Sequence, residues 1–283
     1  MTSSRKPAAA RWRRLVSDRL EEFEQLSPGG GPAGEAFWRR RAGRYATATP
    51  RTDTQHDPFL RRLRRVTEPS STVIDVGAGT GRFALTLAPH VRHVTAVDPS
   101  EAMLEILRRE ARELGVHNLE TVSARWADAG NLAADVVFSA SVLTLVPDAV
   151  PFLGKLEAAA RSHVVLYLGA YAEDAVLDPL WRHFHGTPRA PGPSYLDALD
   201  VIRELGIVPA VEVVEVFNRR RFATVDEAVE HYGDALAVPE APQARRELAD
   251  LLASWLLGRR GALRSPLRSS PAAIIRWTPG SRA

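Results

Sequence analysis

Three glycines at every second position, in the stretch VIDVGAGTGR (73–82), are the residues best placed to do chemistry. Apolar residues lead up to Asp75. Gly77, Ala78, Gly79 and Gly81 then carry the chain into FALTLA, which reads as the opening of a helix. A strand, a glycine turn and a helix N-terminus set backbone N–H groups and the positive end of a helix dipole around a ligand. Two occupants are common at such a turn: a dinucleotide and S-adenosylmethionine (SAM). A dinucleotide fingerprint requires G-x-G-x-x-G, whose third glycine lets the helix pack close to the strand. That position is Arg82 here. A carboxylate at Asp75 repels a pyrophosphate but suits the ammonium and sulfonium groups of SAM. Asp98 ends the next apolar run, HVTAVDP, where its oxygens can accept from the ribose hydroxyls of either cofactor. Spacing and acid together favour SAM.

These residues need a scaffold, and the pattern supplies one. From residue 71 onward, short apolar runs alternate with helical spacing, the signature of a parallel α/β sheet. The runs TVIDVG, HVTAVD, LETVSA, DVVFSA, HVVLYL, VEVVEV and PAAIIRW are expected strands, the last one returning to the sheet. Between them, EAMLEILRREARELG is expected as a helix capped by Ser100 and stopped by Gly115, and VPFLGKLEAAARS as another. The first 70 residues form a helical prelude. Trp12, Leu15, Val16, Leu20, Phe23 and Leu26 share one face, SPGGGPAG breaks the helix, and two shorter amphipathic segments follow. The expected organisation is therefore a helical cap over 1–70 and a cofactor-binding domain over 71–283. Insertions at about 171–195 and 224–260 interrupt the alternation. The fold class is α/β: a Rossmann-like, seven-stranded, mostly parallel sheet with helices on both faces.

At this point the chain resembles the class I SAM-dependent methyltransferases, most closely over about 71–170. VIDVGAGTGRFALTLA is similar to that family's first motif and VTAVDPSEAML to its second. The resemblance implies that the backbone around Gly77 and Gly79 lies against the aminoacyl part of SAM. It implies that Asp98 holds the ribose, with Pro99, Ser100 and Met103 beside the adenine. In SARWADAG, Arg125 stands where the family often has an acid for the adenine amine; Trp126 can stack or offer backbone, and Asp128 can substitute. ADVVFSASVLTLVPD resembles the fourth-strand motif and places Ser139 and Ala140 near the methionine moiety. Where many relatives then carry histidine, this chain has Thr144 and Leu145. In the prelude, Trp38 and Tyr45 are candidates to close over SAM, and Arg44 to meet its carboxylate.

Methyl transfer to an activated carbon is chiefly a positioning task, and a base is needed only if the nucleophile is protonated until attack. The densest pool of titratable and aromatic side chains is LWRHFHGTPRAPGPSYL, after the fifth strand. His185, His183 and Tyr195 are the candidate catalytic residues, and Trp181 a candidate pocket wall. No third ligand sits at metal-site spacing beside the two histidines, so no metal is expected. The expected activity is transfer of the SAM methyl group to a small organic acceptor. RNA or protein methylation is the alternative within the fold, and a catalytically silent SAM-fold binding or assembly protein is the alternative outside enzymology.

Composition narrows the partners. The chain has 283 residues, 37 basic and 34 acidic side chains and a formal charge of +3. The bases are almost all scattered arginines, so no nucleic-acid partner is expected. With no cysteine, disulfides, thiolate metal sites and cysteine nucleophiles are excluded. No apolar run reaches the roughly 18 residues of a membrane span, and the N-terminal stretch lacks the apolar region of a secretory signal, so a cytoplasmic location is expected.

Overall fold

A computed structural model describes residues 7–27, 31–32, 34–48, 56–169, 172–259 and 261–282. Strands β1 (Thr72–Val76), β2 (His93–Asp98), β3 (Leu119–Ser123), β4 (Ala134–Ala140), β5 (Ala160–Gly169), β6 (Ala210–Phe217) and β7 (Ser269–Trp277) form one sheet in the order β3-β2-β1-β4-β5-β7-β6. The first five strands pair in parallel, and β7 runs antiparallel between β5 and β6. The strand order turns back at β1, which lies between β2 and β4. Ligands of open α/β sheets bind at that crevice, outside the carboxyl ends of the strands. The sequence placed all seven strands: the apolar runs of β1, β2, β4 and β7 suit strands buried on both faces, whereas β6 mixes valine with glutamate and is largely exposed.

Both faces are covered. Trp12 and Val16 of α1 (Ala8–Leu26) join the core formed by Val76, Val137, Val164 and Ile275 on one side. The Trp12 indole N–H anchors that helix by donating to the Val146 carbonyl at 2.9 Å. On the other face, α3 (Pro58–Val66) buries Phe59, Leu60 and Leu63 against Val73, Phe138 and Val165. Asp57 caps this helix by accepting from the backbone N–H groups of Phe59 and Leu60, a bond typically worth about 1 kcal/mol. Between these two helices in sequence, α2 (Glu35–Ala48) packs Ala42 on Met103 and Ile106 of α5 (Glu101–Glu113). The short α4 (Ala84–Leu87) follows the glycine turn, and α6 (Ala149–Ala159) leads directly into β5.

The insertions build a smaller core of their own. Leu177, Leu180 and Trp181 of α7 (Ala172–His185) meet Phe222, Tyr232 of α9 (Val225–Ala235), and Leu248 and Leu252 of α10 (Pro242–Trp255). Phe23 and Phe37 from the prelude complete it. The aromatic-rich segment expected to carry the candidate catalytic residues is thus largely a helix, followed by extended chain and α8 (Tyr195–Glu204). One local expectation needs correction. Ser100 stands at the N-cap of α5, but its hydroxyl makes no capping bond; its backbone N–H instead donates to Asp98 Oδ1 at 2.8 Å. Gly115, with φ of 65°, follows the end of α5.

Candidate active site

The glycine turn folds as its spacing requires. Gly77, Gly79 and Gly81 all have left-handed backbones, with φ of 78°, 55° and 84°. A Cβ on Gly77 would lie 2.1 Å from Val142 Cγ2, and one on Gly81 would lie 2.7 Å from Leu107 Cγ. These two glycines are therefore demanded by packing as well as by φ. At Gly79 the nearest neighbour of such a Cβ would be Tyr45 Cε1 at 4.0 Å, so its backbone faces open space under the α2 phenol. That is the room a bound cofactor needs.

Two acids flank the turn. Asp98 is buried, and its carboxylate bridges the loops after β1 and β2 by accepting from Gly79 N–H and Ser100 N–H, each at 2.8 Å. Burial raises its pKa, and the two backbone N–H groups oppose that rise. Asp75 is 2% exposed. Burial, reinforced by the charge on Asp98, pushes its pKa well above the usual carboxylate range, against one hydrogen bond from the Ala84 backbone. Its Oδ2 has no partner among the described residues, as is also true of Ser100 Oγ and Trp126 Nε1. These orphaned polar atoms belong to the ends of β1, β2 and β3, where the sequence placed the cofactor. An uncompensated carboxylate at this depth, beside a second one, fits a ligand that brings positive charge and not one that brings a pyrophosphate.

The other sequence candidates fall around the same seat to different degrees. Met103 is buried under α2, and Pro99 lies in the loop between Asp98 and α5. Trp126 is buried at the end of β3 with the Lys155 ammonium 4.9 Å from its ring centroid, while the neighbouring Arg125 is exposed. Ser139 is buried and donates its hydroxyl to the Val76 carbonyl at 2.9 Å, tying β4 to β1. Tyr45 stacks edge-on against Trp38 with ring centroids 5.7 Å apart. The residue as a whole is 36% exposed, but desolvation of its hydroxyl end raises the phenol above the ordinary value, with Arg82 and Arg220 opposing and Asp98 and Asp75 reinforcing the shift. The Arg44 side chain lies outside the described residues.

Next to the cofactor seat opens a cavity of about 340 Å³. Its floor is the carboxyl end of β4 and β5, through Ser141, Thr144, Leu145 and Gly169; its roof is α1. Ser141 takes a left-handed backbone, φ 61°, rare for a residue with a Cβ and characteristic of functional turns. Val142, the next residue, is the one packed on Gly77. Sequence reasoning missed this cavity's charged wall, made by Arg19, Asp174 and Arg189, because its members are far apart in the chain. The candidate catalytic histidines lie elsewhere. His183 is exposed and pairs with Glu247 of α10 at 2.7 Å. His185 bonds the Leu236 carbonyl at 2.7 Å and lines a second cavity of about 370 Å³ with Asp18, Glu21 and Glu22. No residue of the glycine turn or of β4 lines that second cavity. Tyr195 begins α8 and packs against the first core.

Comparison with known proteins decides the family. A family model described as a methyltransferase domain matches residues 73–162. The ribosomal RNA small subunit methyltransferase A of Thermobifida fusca is 31% identical over 231 residues, covering 75% of this chain and 77% of that protein. The chain belongs to the SAM-dependent methyltransferases. A protein-L-isoaspartate O-methyltransferase of Klebsiella pneumoniae is 29% identical over 143 residues, 48% of this chain, and the match spans 66% of that relative's length. Among solved structures, the YcgJ protein of Bacillus subtilis shares the fold at a TM-score of 0.52 and 15% identity, with 81% of this chain and 100% of that chain covered. A SAM-dependent methyltransferase of Thermotoga maritima does so at 0.50 and 14%, covering 85% and 97%. Within this methyltransferase the glycine turn and Asp98 fall inside the matched residues, whereas α1, α2 and α7 to α10 lie outside them.

Proposed function

We propose that this methyltransferase transfers the SAM methyl group to a small organic acceptor held in the cavity over β4 and β5. The observation that carries the reading is adjacency: Val142, against which the glycine turn packs, follows Ser141 on the wall of a cavity roofed by protein. Cavities of a few hundred cubic ångströms suit metabolite-sized ligands. SAM supplies a methyl carbon already activated by its sulfonium. The chain's own residues hold it: the backbone at Gly77, Ala78, Gly79 and Gly81 against the aminoacyl end, Asp75 facing its positive charge, and Asp98 on the ribose. Pro99, Met103, Arg125 and Trp126 surround the adenine, Ser139 sets the distance between β1 and β4, and Tyr45 covers the top.

Catalysis then rests on positioning. His183 and His185 are occupied by Glu247 and by the Leu236 carbonyl, and neither lines the cavity beside Ser141. His183→Ala is expected to leave turnover far short of the hundredfold or greater fall that loss of a general base produces. Methylation of ribosomal RNA is the second reading, favoured by the name of the Thermobifida relative. The deciding experiment is calorimetry with S-adenosylhomocysteine and with NAD. A second assay then follows labelled methyl transfer from SAM into a small-molecule extract and into RNA. Binding of the homocysteine compound and label in small molecules support the proposal. Tighter binding of NAD, or label confined to RNA, overturns it.

A further inference from the structure

We propose that the cofactor binds by displacing a proton: Asp75 carries one in the free protein and releases it to solvent as the cofactor's positive charge arrives. This rests on reading the glycine turn as the SAM seat. Asp75 stands near the carboxyl end of β1, in register with Ala96 of β2, and is 2% exposed. Its Oδ2 has no partner among the described residues. Two residues further along β2 comes Asp98, a second buried carboxylate.

The two acids differ in what holds their charge. Asp98 accepts from Gly79 N–H and Ser100 N–H, each at 2.8 Å, and both donors favour its ionised form. Asp75 has one such bond, from the Ala84 backbone, against deep burial and the repulsion of Asp98. Neighbouring carboxylates in a poorly solvated turn resist joint ionisation, so the pair keeps a proton and Asp75 is its seat. The other charged and titratable groups nearby are Tyr45 of α2, Arg82 after the turn and Arg220 after β6. Arg82 pairs with Asp57 at 3.0 Å, and Arg220 Nη1 lies 2.9 Å from His231. Both arginines act on the Tyr45 phenol, and neither offsets the charge of Asp75.

On binding, the Asp75 carboxyl exchanges its proton for a cationic partner, and a nearby positive charge favours the ionised acid. Linkage fixes the sign. Affinity is low and flat where Asp75 is protonated in both states. It rises by up to about tenfold per pH unit between the bound and free values, then levels off. The free value lies well above the ordinary 3.8, which carries the rise into mildly acidic solution. The cofactor's own α-ammonium titrates at about 7.7–8.0 and acts in the opposite sense, so a range of about pH 5 to 7 isolates the acid.

The test is calorimetric titration with S-adenosylhomocysteine at about pH 6, in phosphate and in bis-tris, whose different ionisation enthalpies reveal the protons released. A measurable fraction of a proton, and at most about one, should leave per ligand bound, and affinity should climb from about pH 5 to 7. SAM, with its added sulfonium charge, should release at least as much. The nucleoside 5′-methylthioadenosine, which lacks the ammonium, should release none. Asp75→Asn keeps the shape of the side chain and should abolish both the release and the pH dependence. If that variant fails to fold, the contrast between the homocysteine compound and methylthioadenosine on the unaltered protein decides. Binding of the homocysteine compound without proton release overturns the proposal and leaves the cofactor reading standing. Release that persists in Asp75→Asn, or that methylthioadenosine matches, also overturns it. Absence of binding at every pH rejects the cofactor reading, and the proposal with it.

Discussion

At the scale of single residues, the site depends on backbone that only glycine can supply. Gly77 has φ of 78° and no room for a methyl group, since Val142 Cγ2 would lie 2.1 Å from it. Gly77→Ala should destabilise the fold by roughly 2–4 kcal/mol, the sum of left-handed strain and overpacking, measured by urea denaturation. A change under 1 kcal/mol would show that the turn can shift away from β4. Asp98 orders Gly79 and Ser100, and in the proposed site it also holds the ribose. Asp98→Ala should weaken SAM binding by about 1.5–3 kcal/mol, or roughly 10- to 150-fold, in calorimetry. Unchanged affinity would remove Asp98 from the ribose site. The glycines and both acids were legible because their chemistry is local: a turn, a strand end and a helix start lie within a few residues. Arg189 stood in the candidate pool, but its grouping with Arg19 and Asp174 was not legible. They are separated by up to 170 positions, so no spacing rule joins them until the fold does.

At the scale of elements, the apolar runs located every strand, β1, β2 and β4 because they are buried on both faces and the largely exposed β6 by its mix of valine and glutamate, but the sequence misread what α7 does. Its cluster of tryptophan, phenylalanine and histidine reads from sequence as a pool of catalytic side chains. The structure spends Leu177, Leu180 and Trp181 on a second core with α9 and α10 instead. Beside that core, against Phe222 and Tyr232, lies an acid-sensitive group. His231 of α9 is half-buried, and its Nδ1 lies 2.9 Å from Arg220 Nη1; desolvation first, then that cation, lowers its pKa to about 3. The folded protein thus keeps His231 neutral down to about pH 3, while the unfolded chain takes up a proton below its ordinary value near 6.5. The contribution is present above pH 6.5 and is lost as pH falls toward 3. At pH 4.5 the loss is on the order of 2–3 kcal/mol. Asp75 and Asp98, with raised values, work in the opposite direction, so only a comparison isolates the histidine. His231→Gln should flatten the fall in stability between pH 7 and 4.5 by that amount in denaturant titrations. Parallel curves for the two proteins would show that His231 is solvated or already charged.

At the scale of the whole molecule, charge bears on which acceptor can reach the site. A net charge of +3 on 283 residues is small, yet the relative in Thermobifida carries the name of a ribosomal RNA methyltransferase. Many arginines are also engaged with acids of the same chain. Arg11 pairs with Asp197, Arg41 with Asp234, Arg82 with Asp57, Arg108 with Glu101 and Arg282 with Glu157. These pairs come from α1, α2, the glycine turn, α5 and the C-terminal end, so they offset basic charge at several places. RNA binding draws its affinity from phosphate contacts, each of which steepens the fall of affinity with salt by about 0.7–0.9 in the log–log slope. A protein using six or more such contacts would show a slope of about −4 or steeper. This methyltransferase is expected to show a slope shallower than about −2 with a single-stranded or hairpin RNA, measured by fluorescence anisotropy between 50 and 200 mM salt. S-adenosylhomocysteine should leave that slope unchanged, because the cofactor seat lies apart from those arginines except Arg82. A steep slope that sharpens when the homocysteine compound is bound would place an RNA at the active-site mouth, and the small-molecule acceptor would be abandoned.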